Sequence, residues 1–168
     1  MPGRDWSWQK NPFVGLQPYQ GLLVILLMFD SSDLKNVNNT MYDVKHPGDG
    51  PEHWYVVRDL GTALGTTGRV RPTRNNADVF ERQTFITGVK DGFVEFNFHG
   101  WQKELYNHRI TPADVRWASE LLAQLSDRQW NDAFRAGGFD PKVADRFIAR
   151  LHEKIADGRK LSDTGLGQ

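Results

Sequence analysis

The feature that most constrains this chain is a single apolar run, Gly21-Leu22-Leu23-Val24-Ile25-Leu26-Leu27-Met28-Phe29, set between Pro18 and the polar stretch Asp30-Ser31-Ser32-Asp33. Pro18 suits the first turn of a helix. The run is apolar on every side, which predicts a helix buried all round rather than one lying on a surface. From Leu22 to Phe29 it has only eight residues, whereas a membrane-spanning helix needs about 20. Membrane insertion is therefore not expected. The N-terminus, Met1-Pro2-Gly3-Arg4-Asp5-Trp6, lacks the charged-then-apolar pattern of a signal peptide, so the cytoplasm is the expected compartment. Whatever follows the helix is delivered to the end of a buried rod, and that is where the polar loop begins.

With 168 residues the chain is of single-domain size, and roughly 70% of its unfolded surface can be buried. Lys+Arg and Asp+Glu both number 21, so the formal net charge is zero. A global electrostatic grip on nucleic acid or on an anionic membrane needs a basic excess and is not expected. No cysteine is present, which excludes disulfides, thiolate metal sites and a cysteine nucleophile. Aromatics make up 12%, too many large rings for a disordered chain.

The remaining elements are readable in outline. Residues 1–16 form an irregular N-terminal extension, with Trp6, Trp8 and Phe13 available to clip it to a core; a domain covers 17–158, and a frayed tail follows from Arg159. Strands are expected at Thr40–Lys45 and His53–Arg58, joined by the turn-rich His46-Pro47-Gly48-Asp49-Gly50-Pro51. A long loop from Leu60 to Asp78 holds Gly61, Gly65 and Gly68 with Arg69, Arg71 and Arg74. Thr84–Val89 and Phe93–Phe98 predict a second hairpin around Asp91-Gly92, with Val94, Phe96 and Phe98 on one face. Three helices follow: one opened by Thr111-Pro112-Ala113-Asp114 and running to about Leu125, one behind a Ser126–Gln129 capping box and ending at Gly137-Gly138, and one opened by Asp140-Pro141 and ending before Gly158. Trp117, Leu121, Leu122 and Leu125 recur at helical spacing and read as core, as do Trp130, Phe134 and Phe139. The fold class is α+β, mainly α.

The chemistry-bearing residues sit directly after the buried helix. Asp33 stands two positions before Lys35 and five before Asn38, and the first hairpin delivers Asp59-Leu60-Gly61 at the end of a strand. Phosphoryl transfer has use for such a set, because its charge lies on phosphate oxygens and catalysis is mostly positioning plus Mg²⁺. Mg²⁺ takes hard oxygen ligands, commonly one or two carboxylates together with substrate phosphates. An Asp can accept a hydroxyl proton, an Asn and a second Asp can hold metal, and a Lys can neutralise the transferring group. Each motif also has a plainer reading: Asp30 and Asp33 suit any helix end, and Asp-Leu-Gly suits any strand that ends in a turn. The five histidines show no zinc-ligand spacing, the glycines form no P-loop, and the arginine-bearing loop reads as solvated. Asn38-Asn39-Thr40 matches a glycosylation acceptor but has no secretory context.

Asp33-Leu34-Lys35-x-x-Asn38 followed by Asp59-Leu60-Gly61 resembles the catalytic loop and metal-binding motif of the protein-kinase-like superfamily. The style is nearer to atypical bacterial kinases, such as persistence-toxin and lipid-kinase-like enzymes, than to eukaryotic protein kinases, and the wording is also similar to that of a bacterial protein family with which no substrate comes. The resemblance implies a kinase C-lobe fold with a buried helix, a catalytic loop, two hairpins and C-terminal helices. It implies Asp33 as catalytic base and Lys35 as a catalytic and phosphate-binding residue. Asn38 and Asp59 become ligands of Mg²⁺, and the cofactors become Mg²⁺ and ATP. The motifs span residues 17–61; the helical remainder matches by order alone. Ser31-Ser32 stands where the family has His-Arg, and Leu60 replaces Phe. Only 32 residues precede Asp33 and none carries a Gly-rich loop, so the chain is expected to be a C-lobe completed by an N-lobe or partner protein. The alternative expectation is a non-catalytic, pseudokinase-type module that binds a protein partner through an exposed apolar patch.

Overall fold

In the computed structural model, which describes residues 3–45, 50, 52–65 and 74–166, the apolar run forms α1 (Gln17–Met28) with Pro18 in its first turn. Tyr19, Gly21, Leu23, Val24, Leu26, Leu27 and Met28 are buried, covering all sides of the helix as its composition demands. Val24 and Met28 are completely inaccessible.

Around α1 pack three further helices, α3 (Pro112–Leu122), α4 (Asp127–Ala136) and α5 (Pro141–Arg159), with α3 lying against both α1 and α5. Their starts are those expected. Thr111 and Asp114 form a reciprocal capping box, Ser126 and Gln129 form another, and Asp140 Oδ1 accepts from the amides of Lys142 and Val143. α3 ends at Leu122, three residues earlier than expected; Leu121, within it, and Leu125, beyond it, are exposed rather than in the core. α5 instead runs through Gly158, whose bare Cα is tucked against Ser119 of α3. Its Phe147, Leu151 and Ile155 recur every four residues and form a buried stripe.

Two small antiparallel sheets complete the α+β architecture. β1 (Arg4–Asp5), β2 (Asn39–Val44) and β3 (Glu52–Val57) form a three-stranded sheet in that order, with Asn39 opposite Val57 and Val44 opposite Glu52. The turn expected at residues 46–51 lies, apart from Gly50, outside the described residues. β4 (Ile86–Lys90) and β5 (Phe93–Phe96) pair around Asp91-Gly92, whose φ values of 52° and 80° are the left-handed pair that a two-residue hairpin turn requires. A short helix, α2 (Ala77–Phe80), capped by Asn76, interrupts the expected Leu60–Asp78 loop and brings Phe80 into the core. Gly68, Arg69 and Arg71 of that loop lie outside the described residues; Arg74 is exposed.

The termini are more ordered than their composition suggests. Trp6 and Trp8 are buried edge-to-face with ring centroids 4.8 Å apart, and Trp6 Nε1 donates to the Val56 carbonyl at 3.2 Å. Phe13 stays partly exposed, its ring against Tyr55. After Arg159 the chain does not fray but turns back through β6 (Leu161–Ser162) and β7 (Gly165–Leu166). Leu161 is buried and its carbonyl accepts from Arg116 at 2.8 Å. No helix among the described residues is long and apolar enough to cross a membrane.

Another close approach in the helical layer is at Gly21, where an added Cβ would collide with the indole ring of Trp117. Alanine is ordinarily the better helix residue, by roughly 0.5–1 kcal/mol. Here the overlap with a packed ring reverses the sign. Gly21→Ala is expected to destabilise the fold by about 1–3 kcal/mol, read as a lower midpoint in urea denaturation. A rise in the midpoint would show that α1 and α3 are not packed this closely.

Candidate functional site

Where α1 ends the chain cannot continue as helix, because Asp30, Ser31 and Ser32 compete for backbone hydrogen bonds. Asp30 takes a left-handed φ of 54° and the Ser31 amide returns to the Leu26 carbonyl at 2.9 Å. The segment from Asp33 then crosses to a single 3-10 turn, Asn36–Asn38, that feeds directly into β2. Leu34 plugs this crossing into the core at 2% exposure.

Asp33, Lys35 and Asn38 are brought together by this loop itself. The Lys35 ammonium lies 3.0 Å from Asp33 Oδ1 and 3.2 Å from Oδ2, and only the second contact has hydrogen-bonding alignment. Asp33 Oδ1 is buried and has no hydrogen-bond partner among the described residues, so it keeps acceptor capacity. Asn38 Nδ2 donates to the Asp33 carbonyl at 3.1 Å, closing the loop on itself. With its NH₂ held there, the Oδ1 of Asn38 is the atom left for a ligand.

Asp59 arrives from another element. The β2–β3 register places Arg58 opposite Asn38, and the Arg58 amide donates to the Asn38 carbonyl at 2.9 Å. Asp59 is the next residue, exposed, with a φ of 56°. Left-handed backbone is uncommon outside glycine and concentrates where structure over-determines it. All four expected residues therefore lie at one end of α1, three in one loop and the fourth one residue from a backbone bond to it. An amide oxygen and a carboxylate are hard donors suited to Mg²⁺ that also binds phosphate. Among the described residues no three His, Asp or Glu side chains gather in a way that could hold a metal by themselves.

Several residues that support the loop were not singled out from sequence. Gly100 lies so close to the Ser32 carbonyl that an added Cβ would sit 3.1 Å from it, and the Trp101 amide donates to that carbonyl at 3.2 Å. Gln102 Nε2 donates to the Leu34 carbonyl at 2.7 Å. The Lys35 ammonium lies 5.5 Å from the Trp101 ring centroid, a cation–π contact beside Asp33. From the N-terminal extension, the Trp8 amide donates to Asn36 Oδ1 at 2.9 Å and Gln9 Oε1 accepts from Asn36 Nδ2 at 3.1 Å. None of these residues belongs to a motif with a spacing, so the sequence carries no signal for them.

Lys154 is different. It falls seven residues after Phe147 on the apolar stripe of α5, and the structure buries it there at 1% exposure. Its ammonium donates to the Met28 carbonyl at 2.8 Å, stands 3.4 Å from Asp30 Oδ2 and lies 3.9 Å from the Phe80 ring centroid. Burial dominates both partners: it pushes Asp30 up to about 6 and Lys154 down to about 8, against the mutual attraction that favours the charged forms. The pair is an expensive clamp between α5 and the start of the Asp33 loop.

The clamp has a pH signature. Asp30 keeps its proton in the folded chain at pH values where the unfolded chain has lost it, so its ionisation lowers stability as the pH rises from 3.8 through about 6. Lys154→Met removes the groups that offset this ionisation, leaving Asp30 to ionise later and at greater cost. The variant is expected to lose about 3–5 kcal/mol at neutral pH. Its penalty should be smallest near the unfolded Asp value of 3.8 and grow as the pH rises past about 6. Urea denaturation of both proteins across this range measures it; a penalty independent of pH would show that Asp30 and Lys154 are not coupled.

Scans of the chain against protein-family models, curated proteins and solved structures found no match.

Proposed function

We propose that the chain carries a phosphoryl-transfer site of the kinase type, using Mg²⁺-ATP, on a helical lobe equivalent to the lower half of that fold. The observation that supports it most is the closed loop in which Asn38 donates to the Asp33 carbonyl while the Arg58 amide, next to Asp59, donates to Asn38. The order of elements fits the same reading.

Each residue then has a task. Asp33 is the residue that accepts the proton of the attacking hydroxyl. Lys35 holds Asp33 in place and presents positive charge to the transferring group. Asn38 Oδ1 and the Asp59 carboxylate are the oxygens that hold Mg²⁺, which when bound neutralises charge on the phosphate oxygens. Ser31 and Ser32 take the place of a His-Arg support, and the Trp101 and Gln102 bonds to the Ser32 and Leu34 carbonyls supply that support instead. A nucleotide cover from an N-lobe or partner protein completes the site.

A non-catalytic, protein-binding module is the second reading. The observation that favours it is the exposed apolar rim of the same loop: Val37 is 68% exposed, Leu60 48% and Trp101 49%. In the first reading this rim is where the covering segment sits; in the second it is the docking surface.

Calorimetric titration of the 168-residue chain with Mg²⁺-ATP separates them. Phosphoryl-transfer geometry predicts weak, Mg²⁺-dependent binding, with a Kd on the order of 0.1–1 mM, lost by at least about tenfold in Asp59→Ala. Transfer to any acceptor should be very slow without the cover. Absence of nucleotide binding, or equal binding by Asp59→Ala, would leave the binding-module reading.

A further inference from the structure

The three-stranded sheet has two outer strands, β1 and β3. An outer strand presents unpaired N–H and C=O groups to any chain that can lie beside it, and monomeric proteins blunt such edges with shortness, proline, lysine or a bulge. β1 is blunted, being two residues long. β3 is not. Glu52-His53-Trp54-Tyr55-Val56-Val57 contains no proline or lysine, and its register against β2 runs without a bulge.

Which groups face outward follows from the ladder. The Arg58 amide donates to the Asn38 carbonyl, while Asn39 stands opposite Val57. Backbone bonds of an antiparallel pair fall on alternate residues. Glu52, Trp54 and Val56 therefore bond to β2, and His53, Tyr55 and Val57 direct their N–H and C=O groups away from it. Among the described residues these outward groups take no hydrogen bond. Such bonds alone add little affinity, because water satisfies the groups in the free chain. Apolar surface flanks them on both faces, and an added strand would bury it. Tyr55 and Val57 pack toward the core, so Trp54 projects from the opposite face, where it is 52% exposed. On the core side, His53 and Tyr55 border an apolar recess of about 420 Å³ that Trp6, Phe13, Leu16 and Leu22 help to line.

The edge is complementary to itself. When a second β3 lies antiparallel beside the first with Tyr55 facing the partner's Tyr55, His53 meets the partner's Val57, and each of these residue pairs exchanges two hydrogen bonds. A slip of two residues either way leaves one of the three outward residues with no β3 residue opposite. The same register sets Trp54 beside the partner's Val56 and Glu52 beside the partner's Arg58. Glu52 and Arg58 are both exposed, and their opposite charges meet twice by symmetry. We propose that two copies of the chain associate through β3, antiparallel about a two-fold axis at Tyr55, into one continuous sheet. The interface is independent of the phosphoryl-transfer reading, and no nucleotide enters its test.

Sedimentation equilibrium of the 168-residue chain between about 5 and 500 μM is expected to show a monomer–dimer equilibrium with a Kd on the order of 10–100 μM. Glu52→Arg places two arginines together across the interface and Arg58→Glu two glutamates. Each should weaken association by about tenfold, and the double variant, which restores opposite charges, should recover it. His53→Pro removes an outward N–H while leaving the bonds to β2, a position where an edge strand tolerates proline, and should abolish the dimer. Circular dichroism reports that each variant is folded, and the two charge variants change exposed side chains. A chain that stays monomeric throughout, a His53→Pro dimer as tight as the original, or a double variant no tighter than the single ones would each overturn the proposal.

Discussion

The structure depends on how a helix that is apolar on every side is brought to an end. α1 must be surrounded, yet its last carbonyls have no partners within the helix. Lys154 resolves this from across the core by donating to the Met28 carbonyl, with Asp30 beside it. Burying two charges is unfavourable, as the opposed displacement of both groups shows, and a methionine–leucine packing would cost less. What the ion pair adds is direction. It fixes the left-handed turn at Asp30, and thereby the point in space from which the loop toward Asp33 departs.

From that point the loop is held less by packing than by bonds to its own backbone. Leu34 is the one apolar side chain it buries, with Lys35 and Val37 exposed and Asp33, Asn36 and Asn38 half-buried, so hydrophobic burial contributes little to its shape. The Ser32, Asp33, Leu34 and Asn38 carbonyls instead accept from Trp101, Asn38, Gln102 and Arg58 in turn. Such carbonyl-by-carbonyl support is the usual requirement for an irregular segment near a core. It leaves the side chains of Lys35 and Asp59 exposed. The N-terminal extension adds the last supports through Asn36, so residues that look like a loose leader are part of the loop's frame.

Much of the frame is legible in the residues alone. Two capping boxes, the Asp140 cap and the Asp91-Gly92 turn all appear where their chemistry requires them, because each is a local agreement between one side chain and the backbone within a few residues. The buried character of α1 follows directly from its composition. Less legible are features set by what happens to lie nearby. Leu121, in the last turn of α3, and Leu125, beyond its end, continue the apolar spacing but stay exposed. The hairpin after Arg159 has no strong strand signal and forms because Leu161 finds a buried place beside α3 and Arg116 takes its carbonyl. Lys154 was readable in principle, since the period of α5 puts it on the apolar face, but the same pattern with a long basic side chain usually means a snorkelling surface residue.

The candidate site divides along the same line. The sequence by itself determined its membership: Asp33, Lys35 and Asn38 are near neighbours on a polar loop after a buried helix, and Asp59 ends a strand, so their proximity is short-range and nearly forced once the hairpin forms. Only the tertiary structure decided what surrounds them. The Trp101 platform, the Gln102 and Asn36 bonds and the Lys154 clamp join segments far apart in the chain. Such contacts are set by packing rather than by any local preference of the residues that make them, and no spacing in a sequence records which distant side chain will be there.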